Sequence, residues 1–230
     1  MNESAVYEAR LELVDFVVEV FHDTPDEAFI ERLLNDEYET PGEEVNEHLD
    51  AGFDALKTFV EQNQGCDLDD VTEALATEYT ALMVGPRPNV LPHETFYRDN
   101  TEFIGEGLAD VEASYGAAGW SPPEEYGEEN DHIAVEFAFL RHLIERQRAG
   151  ADETVGFERV FLDEHLLTWL EQFTDHIVEE TDQPLFVAGA EVAAGTAAFE
   201  DEIIAPCWVV HSHGIEFRGR RTEAATGHAP

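Results

Sequence analysis

Three places in this sequence carry residue types that could do chemistry. Glu129-Asn130-Asp131-His132 sets a carboxylate and an imidazole one helical turn apart, the ExxH spacing by which di-iron carboxylate bundles present ligands. Such a centre needs a second copy and two further glutamates, and the sequence has no second copy. His22-Asp23 has the form of a phosphohydrolase metal pair, but no histidine precedes it to complete the ligand set. It falls where a helix ends, so a cap or surface role suits it better. Cys207, His211 and His213 combine a thiolate with two imidazoles, a set that suits zinc, although no fourth ligand stands nearby.

Nothing here asks to be a nucleophile. There is no GxSxG elbow, no phosphate-cradling glycine loop and no dinucleotide-binding glycine pattern. The glycines of GAEVAAGTAAF fall at helical spacing beside alanines, which reads as close helix packing. Two function classes follow: a binding protein with no activity, metal or cofactor of its own, and an uncharacterised metal-dependent all-α enzyme using the histidine and carboxylate clusters. Metal analysis of purified protein separates them.

The elements that would position these residues are helical. Tyr7, Leu11, Val14, Val18 and Phe21 step by four and three, as do Val45, Leu49, Gly52, Leu56 and Phe59, so each segment turns one apolar stripe inward. Thr24-Pro25-Asp26-Glu27 reads as a capping threonine, proline at the first helical position and acid in the first turn, opening a helix through Leu34. Pro41-Gly42-Glu43-Glu44 opens the next. Further helices are expected over Leu68–Met83, Thr101–Tyr115, Asp131–Arg148, Phe157–Glu180 and Pro184–Ile204. Only CWVVHSHGIEF looks strand-like. About eight helices on short loops, without an internal repeat, predict a single all-α bundle over residues 1–205. Residues 206–230 are expected to form a C-terminal extension, small and polar from Arg218 and mobile.

Composition bounds the partners. The 230 residues include 52 acidic against 12 basic ones, with Lys57 the only lysine, for a formal net charge of −40. Acid is spread over every segment, which fits adaptation to a salty cytoplasm better than one acidic interaction tail. A basic stripe for nucleic acid is missing. No apolar run is long enough for a membrane span, the N-terminus lacks a signal-peptide pattern, and Cys66 and Cys207 make no disulfide framework. A cytoplasmic location is expected.

One stretch interrupts the helices: GPRPNVLPHETFYRD, residues 85–99, which packs three prolines, two aromatics and an exposed-looking carboxylate into one loop. Together with ENDHIAVEFAFLRHLI and FLDEHLLTWLEQFTDHI, the segment EYTALMVGPRPNVLPHETFYRD resembles, in order and spacing, the TorD/DmsD family of redox-enzyme maturation chaperones. The likeness extends over most of residues 5–204. The residues that carry it are Tyr79, Leu82, Gly85, Pro86, Pro92, Glu94, Thr95, Tyr97, Asp131 and His132. Asn130 stands where the family often has proline, and Thr95 where serine is usual.

The resemblance implies an all-α fold, no catalysis, and binding in the cytoplasm to the apo catalytic subunit of a molybdopterin-dependent reductase through its twin-arginine signal peptide. Monomer and homodimer both stay open. Such a peptide offers a cationic pair and then an apolar segment, so its receptor needs an apolar groove with carboxylates at one mouth. On that expectation Leu82, Tyr97 and Phe139 supply apolar surface, and Glu94, Asp131 and Glu136 face the arginines. Plain alternatives stand beside these roles: Asp131 as N-cap of the helix it begins, and Tyr79 and Phe139 as core.

Overall fold

The computed structural model describes residues 3–35, 44–98, 106–123, 126–205, 208–211 and 214–217. Its body is all-α, as the periodicity predicts. Helix α1 (Glu3–Phe21) packs against α7 (Ile133–Arg148) and α10 (Pro184–Ile204), and α10 also covers α3 (Glu47–Asn63) and α9 (Leu167–Glu180). Around these lie α2 (Glu27–Leu34), α4 (Leu68–Tyr79), the single turn α5 (Glu94–Tyr97), α6 (Glu106–Ala117) and α8 (Thr154–Phe161). Among the described residues no helix is long and apolar enough to cross a membrane.

The central helices bury more than one narrow stripe, because each has neighbours on more than one side. The α1 stripe widens to take in Phe16, Val17 and Val20, and α7 buries the whole run Ile133–Leu140. Each fully buried Leu or Phe contributes about 1.5–3 kcal/mol. The small residues of α10 do pack closely. A Cβ added at Gly195 would lie 2.6 Å from the Leu49 amide nitrogen, and one at Gly52 would lie 2.7 Å from Val192 Cγ2. A side chain at either glycine would force a shift, of the Leu49 backbone in one case and of the Val192 side chain in the other.

Several boundaries differ from the sequence reading. Asp26, not Thr24, caps α2, accepting from the Phe29 N–H at 2.8 Å. Asn46 caps α3 in the same way through Leu49, while Pro41, Gly42 and Glu43 lie outside the described residues, as do Thr101–Gly105 ahead of α6. The helix expected over Phe157–Glu180 is two helices, divided by a π turn at Leu162–Leu166. A second π turn, Thr80–Val84, ends α4 and delivers the chain to Gly85. Gly150, at φ +90°, closes α7, where an L side chain would be strained.

Beyond the bundle, β1 (Trp208–His211) pairs antiparallel with β2 (Gly214–Phe217), placing Trp208 opposite Phe217 and His211 opposite Gly214. This is the run flagged as strand-like. The remainder of the expected extension, including Cys207, His213 and the stretch from Arg218, lies outside the described residues.

One buried polar cluster ties four helices together. Arg10 on α1 donates from Nε to both Glu200 oxygens on α10 at 3.0 and 2.8 Å, from Nη2 to Glu158 Oε1 on α8 at 2.9 Å, and from Nη1 to Gln147 Oε1 on α7 at 3.1 Å. Gln147 in turn donates to Glu158. Arg10 falls outside the apolar stripe read from the sequence, which gives no sign that it is buried.

Candidate functional site

The proline loop is stitched to the start of α7. Pro92 O accepts from the Ile133 N–H at 2.9 Å, and the Glu94 N–H donates to Asp131 O at 3.0 Å, which makes an isolated antiparallel bridge of His93 and His132. A helix N-terminus leaves amides without intrahelical partners, and here the loop carbonyl satisfies one of them. At its other end Val90, fully buried, donates to Leu82 O at 2.9 Å. Prolines 86, 88 and 92 fix φ along the way and lower the entropy lost when the loop is held.

Asp131 does not cap the helix that follows it. His132 does, its Nδ1 accepting from the Ala134 N–H at 3.2 Å. Asp131 turns to α5 instead, where Oδ2 accepts from the Thr95 hydroxyl at 2.5 Å and the Thr95 N–H at 3.3 Å, and Oδ1 pairs with His93 Nδ1 at 3.0 Å. Burial alone would raise this carboxyl, but the bonds from His93 and Thr95 outweigh burial and hold it below its ordinary value.

Glu94 is 0% exposed and sits at the centre of the site. Its carboxylate meets His165 Nδ1 at 3.0 Å and forms an ion pair with Arg98 Nε at 3.0 Å. The π turn explains both contacts. It sets His165 inward, and the carbonyls loosened from the helical ladder find other donors, Glu164 O from Arg98 Nη2 at 2.6 Å and His165 O from the Thr168 hydroxyl at 2.6 Å. His165 Nε2 continues to Ser114 Oγ on α6 at 2.9 Å.

Behind Glu94 lies Glu136, also fully buried. Burial, then the charge of Glu94, push its carboxyl well above the ordinary range. Oε2 accepts from the Trp169 indole N–H at 3.2 Å, while Oε1 receives no hydrogen bond. A Glu136 carboxyl that keeps its proton adds no second charge beside Glu94.

Glu94, Asp131 and Glu136 are therefore enclosed and already bonded, rather than open at a groove mouth. The one-turn α5 turns its first residue inward to reach His165, which is the physical reason. Tyr97 is half-buried, stacked on Trp169 at 5.6 Å with its hydroxyl on His176 Nδ1 at 3.0 Å. Leu82 and Pro92 are buried, and Gly85 and Pro86 stand at the loop's start. Tyr79 is core, its hydroxyl on Phe21 O at 3.1 Å. Phe139 is core as well, ringed by Tyr115, Trp120 and Phe161, and meets the site indirectly, through Phe161 to His165 and through Tyr115, whose hydroxyl donates to Asn130 O at 2.7 Å.

Open surface begins beside Arg98. A groove of about 750 Å³ runs between α6 and α8, walled by Ala113, Ala117, Phe157 and Val160, with Asp110, Asp163 and Glu164 exposed along it and Arg98 and His165 at its inner end. On the loop itself Phe96 is 54% exposed, unusual for so large an apolar side chain. Arg98, His165 and Phe96 were not singled out in the sequence. The Glu94–Arg98 spacing of four was a readable signal, whereas the π turn that brings His165 inward was not.

The metal reading meets a chemical obstacle here. His93, Glu128 and His132 have ligand atoms within 4.8 Å of one another, as do His93, Glu129 and Asp131. Burial, then His93, lower the His132 ring to about 3, so it is neutral. Its Nδ1 lone pair takes the Ala134 N–H, which leaves the proton on the other nitrogen. Ligation through His132 would therefore undo the cap of α7.

Comparison with known proteins finds a match to the family described as nitrate reductase delta subunit over residues 43–175, more than half of the chain. Chaperone protein TorD of Vibrio cholerae serotype O1 El Tor Inaba N16961 is 28% identical over 131 residues, covering 54% of this chain and 59% of that one. The TorD of the Classical Ogawa 395 strain is 27% identical over 146 residues, 60% of this chain and 66% of the relative. That of Photobacterium profundum is 23% identical over 156 residues, covering 65% and 69%. The chain thus spans less than two thirds of the length of the Vibrio relatives.

Proposed function

Since the chain belongs to the nitrate reductase delta subunit family, we propose that it is a non-enzymatic assembly chaperone. It binds the twin-arginine signal peptide and apo form of a molybdopterin-dependent reductase in the cytoplasm, assists cofactor insertion and holds back export until the partner is mature. The names of the TorD relatives support the chaperone class. The observation that carries the peptide reading is the groove beside Arg98, which joins an apolar wall to exposed carboxylates. A cationic pair followed by an apolar segment is the ligand this pattern complements, the charges giving specificity and the wall affinity. Phe96 extends the apolar surface on the loop.

The test is capture from the native cell together with peptide titration. The protein should retain a molybdopterin-containing catalytic subunit with an uncleaved N-terminal signal, and deleting the gene should lower that reductase's activity at unchanged transcript. In vitro, at fixed high salt, a twin-arginine peptide should bind more tightly than its double-lysine variant, because only arginine presents a planar fork to a carboxylate. Unaltered reductase activity in the deletion strain would sink the reading.

A further inference from the structure

Arg98 occupies the position that a partner's arginine would need. Its guanidinium lies at the inner end of the groove, 3.0 Å from the Glu94 carboxylate and 2.6 Å from Glu164 O, with its side chain still 24% exposed. Every other side of Glu94 is closed by protein: His165 below, Glu136 behind, and the loop backbone bound to Asp131. Of the groups bonded to the Glu94 carboxylate, Arg98 and His165 also line the groove, and of the two it is Arg98 that is part-exposed.

Resting on the chaperone reading above, we infer that Arg98 is an internal stand-in for a partner arginine, which leaves Glu94 and the Glu164 carbonyl when the peptide's guanidinium takes them. Its surroundings fit an exchange rather than a fixed strut. Arg98 follows the last residue of the one-turn α5 and is only part-buried, not packed into the core. Its departure exposes no unpaired cation, because the groove alongside carries the exposed carboxylates of Asp110 and Glu164 to receive it. The Glu94 charge is never left alone, since the incoming guanidinium replaces the outgoing one. Lysine, a point charge without a fork, cannot bridge the carboxylate and the carbonyl as the guanidinium does.

The exchange predicts a gain of affinity on removing a basic residue that a merely structural Arg98 would not give. If the internal pair is closed nine times in ten, Arg98→Ala should bind a twin-arginine peptide about tenfold more tightly than the parent, the reciprocal of the competent fraction. The double-lysine peptide should gain less, and adding Glu94→Gln to Arg98→Ala should abolish the gain. A second measurement covers loss of stability: ethylguanidinium should raise the melting temperature of Arg98→Ala more than ethylammonium does, and should leave the parent unmoved. Equal or weaker binding of the twin-arginine peptide by Arg98→Ala, with parent binding intact, overturns the exchange and leaves the chaperone reading standing. If ethylguanidinium rescues Arg98→Ala but neither protein binds the peptide, the twin-arginine reading falls, and the exchange falls with it.

Discussion

The Asp131 carboxylate and the Thr95 hydroxyl, 36 residues apart, are joined at 2.5 Å, so a residue just ahead of one helix ties down another. The bond holds α5, with Glu94 at its start and Arg98 just after its end, against the start of α7. Asp131→Asn should cost about 1–3 kcal/mol at neutral pH, the range for losing charge-assisted bonds. The sign of its pH dependence follows from the lowered carboxyl. Its contribution is complete above the ordinary value of 3.8 and is lost as pH falls through the lower folded-state value. Denaturant midpoints of parent and variant should therefore differ at pH 7 and converge below about pH 4.

The Arg10 cluster predicts the opposite slope at higher pH. Burial, then Glu158, push the Glu200 carboxyl up to about 8, against the pull of Arg10. A raised folded-state value stabilises fully below the unfolded value and is lost as pH rises through the folded one. Glu200→Gln keeps the shape and removes the titration. Its stability should stay flatter than the parent's between about pH 5 and 9, read from denaturant midpoints at fixed salt.

Close packing of α3 on α10 sets a third expectation. Gly195→Ala drives a methyl against the backbone of Leu49, which cannot yield as a side chain tip can. The cost should reach about 1–3 kcal/mol, seen as a lower melting temperature. An unchanged melting temperature would mean that the two helices can separate at no cost.

What could be read in advance depended on range. Periodicity revealed α1, α3, α7 and α10 because their stripes are local and repeat over several turns. The same pattern ran straight through Leu162–Leu166, since a π turn inserts a residue without any apolar gap to mark it. The glycine-rich face of α10 was legible because small residues at helical spacing have few other uses. The carboxylates of the loop could be singled out by type, yet their direction was not legible. Whether Glu94 faces water or His165 depends on a partner 71 residues away. Arg10 was invisible for the same reason, as its partners lie 137 to 190 residues distant.

Charge density makes stability depend on salt. With a net charge of −40 spread over the surface, removing salt lengthens the range of repulsion from about 3 Å at 1 M to about 30 Å at 0.01 M. The far-ultraviolet helical signal should fall on dialysis to millimolar salt and return when potassium chloride is restored. A signal that holds throughout would separate the acidity from salt adaptation.

The two neighbouring aromatics of α5 separate binding from folding. Tyr97 stacks on Trp169 and bonds His176, so Tyr97→Ala opens a gap between α5 and α9 and should cost about 3 kcal/mol in stability, with any loss of peptide binding following from that. Phe96 points the other way. At 54% exposure it touches Tyr97 and His176 by ring contact while most of its surface meets water, so Phe96→Ala should move stability by no more than about 0.5 kcal/mol. If Phe96 receives the apolar segment behind the arginine pair, the same change should weaken a twin-arginine peptide and its double-lysine variant by equal factors, because the ring reads area and not charge. Titrating both peptides against both variants decides the assignment. Parent-like affinity in Phe96→Ala, with the fold intact, would remove the loop aromatic from the binding surface and leave the groove walls Phe157 and Val160 to carry the apolar contact.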